Sequence, residues 1–130
     1  MLSQGRPVTA SSTEAAGLEP AKAVDGSATT RWASAEGADP QWLRVDLGTS
    51  AALSRVRIDW EAAHATAYRV QGSQDGTTWT DLHTTTTGDG GTDDLAVSGT
   101  ARYVRLLGTK RATPYGYSLW EFKVYGTPLT

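Results

Sequence analysis

Strict alternation of apolar and polar side chains, in short runs broken by glycine, constrains the fold of this chain more than any other feature. Leu43, Val45 and Leu47 alternate with Arg44 and Asp46, and Val56, Ile58 and Trp60 alternate with Arg55, Arg57 and Asp59. A period of two sends successive side chains to opposite faces, so each run predicts a strand with one buried face. Tyr68, Val70 and Gly72 continue the pattern, and further strands are predicted over 7–12, 78–82, 94–97, 102–107 and 118–125. Between them lie Asp25-Gly26-Ser27, Gln74-Asp75-Gly76, Gly88-Asp89-Gly90-Gly91 and Ser98-Gly99, the residue types that tight turns require. No segment carries a helical apolar stripe, and the Ala-rich stretch 61–67 is too short to be helical alone. About eight strands without a helix to cover them can bury their apolar faces only against each other. The expected fold class is therefore all-β, an eight-stranded antiparallel jelly-roll sandwich, with residues 1–130 as one domain.

Charge and composition narrow the function. Twelve basic residues against fourteen acidic ones give a net charge of −2, and no basic run of the kind that grips phosphate backbones occurs, which argues against nucleic acid. The absence of cysteine excludes disulfides and thiolate metal sites. No stretch approaches the roughly 20 apolar residues of a membrane-spanning helix. Met1-Leu2 reads as a start added to a module cut from a longer protein. Five Trp and five Tyr stand against a single Phe, a bias toward rings with an apolar face and a polar tip, suited to wet contact surfaces.

Six blocks occur in a characteristic order: Ala23-Val24-Asp25-Gly26; Thr30-Arg31-Trp32; residues 40–48, beginning Pro40-Gln41-Trp42; residues 70–79, ending Thr77-Thr78-Trp79; Arg102-Tyr103-Val104-Arg105-Leu106; and Glu121-Phe122-Lys123-Val124-Tyr125-Gly126. Together they resemble the coagulation factor 5/8 type C, or discoidin, domain family and its bacterial branch, carbohydrate-binding module family 32. The resemblance covers essentially the whole chain. With Trp60-Glu61-Ala62-Ala63 and Tyr115-Gly116-Tyr117-Ser118-Leu119 it is similar to modules attached to bacterial chitosanases and β-glucanases. The resemblance implies ligand held by loops at one end of a jelly roll, a structural calcium ion near Asp25, and a monomeric accessory domain of a secreted bacterial glycoside hydrolase.

Calcium takes six to eight oxygen ligands, which a tight turn can supply from carbonyls and a carboxylate. Lys22, Asp25, Ser27 and Thr30 offer that chemistry locally, and the resemblance brings Glu121 from the far end of the chain. On the residues alone, Asp25-Gly26 reads first as a plain turn and Glu121 as a solvated strand residue.

The resemblance places four loops at the binding edge: 13–19, 31–39, 61–66 and 110–117. They carry Glu14, Arg31, Glu36, Glu61, His64, Tyr115 and Tyr117. Three carboxylates on neighbouring loops repel one another, and a cationic ligand relieves that repulsion. Chitosan, with an ammonium on each glucosamine, is the polymer that fits, each amine meeting a carboxylate in a charge-assisted hydrogen bond. Glu14, Glu36 and Glu61 are assigned to these groups, and Arg31 to hydroxyl oxygens or to holding a carboxylate. Tyr117, or failing that Tyr115, would offer a flat face to a pyranose ring. His64 is a further loop candidate for ligand contact. The plainer readings stay open: Glu36 as a solvated charge, and Arg31 as half of an internal pair with Glu14 or Glu36. Neutral β-1,3-glucan or galactoside is the alternative ligand, and a lipid- or protein-binding discoidin domain a more distant one. Trp32, Trp42, Trp60, Trp79 and Trp120 are expected in the core, and Asp93-Asp94 as solvated strand-edge residues. Paired carboxylates can hydrolyse glycosides, but normally in a deep cleft that a sandwich this small lacks the chain to build. The sequence therefore predicts a binding module and not an enzyme.

Overall fold

In the computed structural model, which describes residues 1–129, the alternating runs become seven strands. These are β1 (Val8–Ala10), β2 (Trp32–Ala33), β3 (Gln41–Trp60), β4 (Ala65–Ser73), β5 (Thr80–Thr85), β6 (Thr92–Arg111) and β7 (Ser118–Pro128). Every pairing is antiparallel, in the order β2-β7-β3-β6-β4-β5, with β1 joined to β3. The helical content among the described residues is one 3₁₀ turn, Pro20–Ala23.

The two twenty-residue strands serve both layers of the sandwich. The first half of β3 lies between β1 and the second half of β6; its second half lies between β7 and the first half of β6. The β3–β6 register breaks between Asp46 and Ala51 and again between Leu53 and Arg55. At the first break Gly48 takes a φ of 85° while its N–H bonds Asp46 Oδ1 at 2.8 Å, a backbone state that a side chain would strain. Counting each half separately and leaving aside the two-residue β2 recovers the eight strands of the expected jelly roll.

The inward residues of the alternating runs meet in one core. Leu43 and Val45 from the first half of β3 join Val56 and Ile58 from the second, with Tyr68, Val70, Val104, Leu106, Phe122 and Val124. Trp32 and Trp60 are buried as expected. Trp42, Trp79 and Trp120 are only half-buried. Trp42 precedes the inward Leu43 and so points outward. Trp79 lies just before β5, beneath the Arg105 guanidinium at 4.2 Å, a cation–π contact. Trp120 is displaced by a β-bulge: Asp59 pairs with Glu121 but Trp60 with Leu119, so Trp120 is the extra residue and Leu119 takes the core position. Asp93 is also not merely solvated, for its Oδ2 accepts from Trp60 Nε1 at 2.9 Å and from the Tyr68 hydroxyl at 2.6 Å. Asp94 pairs with Arg55.

Candidate functional site

The four loops singled out in the sequence meet at the end of the sandwich where β7 begins. They enclose a hollow of about 230 Å³ whose lining includes Glu14, Arg31, Glu61, Tyr115, Tyr117 and Ser118. The buried indole of Trp32 anchors the approach to Glu14, donating from Nε1 to the Ser12 carbonyl at 3.0 Å. Glu14 then bonds through its own N–H to the Ala33 carbonyl at 2.8 Å. The second wall is hung on β7: Glu61 N–H bonds the Ser118 carbonyl at 2.9 Å, and Ser118 N–H bonds the Ala63 carbonyl at 2.8 Å.

Arg31 sits between these walls. Its Nη1 donates to Ser118 Oγ at 2.6 Å and lies 3.7 Å from Glu61 Oε1. Its carboxylate partner is thus Glu61, where the sequence pointed to Glu14 or Glu36. Partial burial works against the Glu61 charge, but the N–H groups of Ala62 and Ala63, the Arg31 guanidinium and the Ser118 hydroxyl outweigh it. The carboxyl is held below the usual carboxylate range and is ionised at neutral pH. Glu14 is exposed and projects its charge from the opposite loop. The hollow therefore carries two carboxylates against one guanidinium already engaged with its walls.

Of the two tyrosines, the second choice, Tyr115, takes the part expected first of Tyr117. Tyr117 is 2% exposed, belongs to the core, and donates its hydroxyl to an Asp39 carboxylate oxygen. Burial, before the Asp39 charge, raises its phenol above the ordinary range. It is among the residues lining the hollow but has no free ring face. Tyr115, two residues earlier and before β7 starts, is 59% exposed and offers the flat surface. Glu36 is exposed and His64 half-buried, and neither lines the hollow. His64 Nδ1 lies 3.1 Å from the Ala62 carbonyl, and its ring packs against Gly90 in the turn before β6. Glu36 remains at the rim, since the next residue, Gly37, bonds through N–H to the Tyr115 carbonyl at 3.3 Å. A larger hollow of about 340 Å³ lies at the opposite end, between 72–82 and Ser98–Thr100. Its Asp75 is already occupied by the amides of Thr77 and Thr78 and the Ser73 hydroxyl.

Two of the residues expected to hold a cation, Asp25 and Glu121, lie near each other. Asp25 Oδ1 accepts from Ser27 N–H at 3.0 Å and Oδ2 from Thr30 Oγ1 at 2.5 Å. Glu121, 3% exposed, lies near enough to Asp25 to feel its charge and accepts from Gly26 N–H. Glu121 Oε2 is buried with no hydrogen-bond partner, an arrangement that a protein tolerates when something positive takes the place of water. The donor set fits a hard cation in that respect. Among the described residues, no group of three or more His, Cys, Asp or Glu side chains gathers into a metal cluster.

The network around Asp39 and Arg111 was missed by sequence reasoning. Neither residue belongs to a recognisable motif, and their pairing spans 72 positions.

Comparison with known proteins places this geometry. Chitosan-binding module 1 of the chitosanase/glucanase from Paenibacillus sp. IK-5 is 59% identical, the match covering 96% of this chain and 98% of that one with a TM-score of 0.94. Chitosan-binding module 2 of the same enzyme, solved in complex with chitotriose, is 52% identical over 97% of this chain and all of that one, with a TM-score of 0.95. A family 32 module from Clostridium perfringens, solved with GalNAc-β-1,3-galactose, shares the fold at 23% identity and a TM-score of 0.84. No curated protein matches the chain. The F5/8 type C domain model matches residues 7–122, and with it the chain belongs to the F5/8 type C domain family.

Proposed function

We propose that the chain is a non-catalytic module that binds chitosan and holds an attached, secreted glycoside hydrolase against the polymer. The observation that carries this reading is the convergence of Glu14 and Glu61 from separate loops on one hollow, beside the exposed ring of Tyr115. A glucosamine ammonium there forms charge-assisted hydrogen bonds to a carboxylate, while the C–H face of the pyranose lies against Tyr115. Arg31 fixes the Glu61 carboxylate and the Ser118 hydroxyl in place before ligand arrives. Glu36, on the rim outside the hollow, serves an adjoining sugar of the same chain. The identity of 52–59% to modules named for chitosan binding supports the choice of ligand. The galactoside reading finds support only in a relative at 23% identity, which speaks to fold and not to ligand. Apart from Tyr115, the exposed large apolar residues among those described are Met1 and Leu129, so the loops present no greasy tip for a membrane.

A shallow single site of this kind binds on the order of micromolar to millimolar as a monomer. A calcium ion on Asp25, Glu121 and the carbonyls or hydroxyls of Lys22, Ser27 and Thr30 serves structure, joining the turn after the 3₁₀ helix to β7. Calorimetric titration with glucosamine, β-1,3-linked glucose and galactose oligomers tests the reading. Heat is expected with the glucosamine oligomers, weakening as salt screens the pairs and as pH rises through the amine's titration. Glu61→Gln costs about 1–3 kcal/mol of that binding, the value of a hydrogen bond to a charged group. Heat with a neutral glucan and none with glucosamine oligomers overturns it.

A further inference from the structure

Tyr115 supplies the exposed ring of the hollow, yet residues 112–117 that carry it have no strand pairing. Backbone bonds from Ala112 N–H to the His64 carbonyl at 3.0 Å and from Gly37 N–H to the Tyr115 carbonyl at 3.3 Å hold them in part, and a side-chain network centred on Asp39 and Arg111 adds to these. Arg111, the last residue of β6, donates from Nε to Asp39 Oδ2 at 3.1 Å and from Nη1 to the carbonyls of Pro114 and Tyr115 at 3.4 Å each. Asp39 receives the Tyr117 hydroxyl on its other oxygen. One carboxylate thereby holds both ends of the loop, Arg111 at its start and Tyr117 at its close, against the neighbouring loop. Ser34 reinforces the seam, its N–H bonding the Tyr117 carbonyl and its Oγ accepting from Tyr117 N–H, both at 2.8 Å. The Arg111 and Asp39 side chains are only 23% and 29% exposed, and neither lines the hollow.

We infer that Asp39 and Arg111 are positioning residues for glycan binding: they set the place of the Tyr115 ring before ligand arrives, without touching ligand themselves. The inference rests on the proposed saccharide site and names what makes it preorganised. A free loop must be ordered at the moment of binding, which costs affinity for every side chain immobilised. A guanidinium fork suits the task because it reaches a carboxylate and backbone carbonyls at once in fixed geometry, as an ammonium cannot. Asp39 also neutralises the Arg111 charge, so the loop is latched without placing a free cation beside a site for a polycation.

The test is a double-mutant cycle on glucosamine-oligomer binding using Arg111→Lys, which keeps the charge and loses the fork, and Tyr115→Ala. Arg111→Lys is expected to weaken binding roughly five- to tenfold, the scale of immobilising one or two side chains, and to speed amide exchange over 112–116 in the free protein. In the Tyr115→Ala background it is expected to change binding by less than about twofold, because the ring it positions is gone. Wild-type affinity in Arg111→Lys overturns the inference. So does an equal loss in both backgrounds, which marks a general structural role, and so does unchanged binding by Tyr115→Ala. No binding of glucosamine oligomers by the unmodified protein removes the functional reading itself, and the inference with it.

Discussion

Glu121 lies on β7 with one carboxylate oxygen unpartnered, and its carboxyl is pushed up to about 7, first by burial and then by the charge of Asp25. The fold therefore favours the protonated form. Stability contributed by this group is full below the ordinary carboxylate value of 4.5 and is lost as pH rises through about 7. The proposed calcium ion would reverse the preference, since it would bind the ionised form. Metal-free protein is expected to lose melting temperature as pH is raised across that window, and calcium to restore it. At a hundredfold excess over Kd the gain is roughly 2.7 kcal/mol. Glu121→Gln keeps the side-chain shape and abolishes both the pH slope and the response to calcium. A wild-type melting temperature that millimolar calcium leaves unmoved sinks the metal proposal. At this scale the sequence was legible where chemistry was local, as with Asp25 and its turn. It was silent where partners are remote: nothing near Asp93 signals that Trp60 and Tyr68 both donate to it.

Strands were legible because period two is written directly into the residues, and β3 shows it over both halves. Alternation marked out the loops as what the strands leave over, but which four of them share one edge came only from the family resemblance. The insertion of one residue was not. The bulge opposite Trp60 shifts the parity of β7 and places Leu119 where alternation from Phe122 would have put Trp120. The same limit put Tyr117 ahead of Tyr115, whose types are identical and which differ in how near they lie to the start of β7. Gly108 on β6 shows how closely strand and site are coupled: a methyl there would lie 2.4–2.8 Å from three carbons of the Tyr117 ring, closer than packing allows. Gly108→Ala is expected to destabilise by about 1–3 kcal/mol, the cost of overpacking, and to weaken glycan binding by shifting the ring that Asp39 holds. Thermal melts and calorimetry on the same sample check this. Unchanged melting with unchanged affinity shows that the ring yields without consequence.

The orientation of the chain ends relative to the hollow bears on how the module would work if joined to another domain. β7 starts at Ser118 on the hollow's lining and runs away from it, and Leu129 N–H bonds the Ser50 carbonyl at 3.0 Å beside the register break of β3. The first residues follow the same strand, with Leu2 N–H on the Val124 carbonyl at 2.8 Å. Both described ends thus sit along or beyond the part of β7 remote from the hollow, so a polypeptide joined at either one need not cross the binding edge. Two copies joined by a flexible linker can then occupy neighbouring stretches of one insoluble chain, the second binding event becoming intramolecular. Such a tandem is expected to bind insoluble chitosan about 10²–10⁴ times more tightly than one copy. On a soluble trimer too short to bridge two hollows, it should show the single-module Kd at each site. Depletion isotherms on the solid and calorimetry with the trimer separate the two quantities. A tandem that gains nothing on the solid while each copy still binds the trimer shows that the two hollows cannot face one polymer, and the geometric argument from β7 then fails.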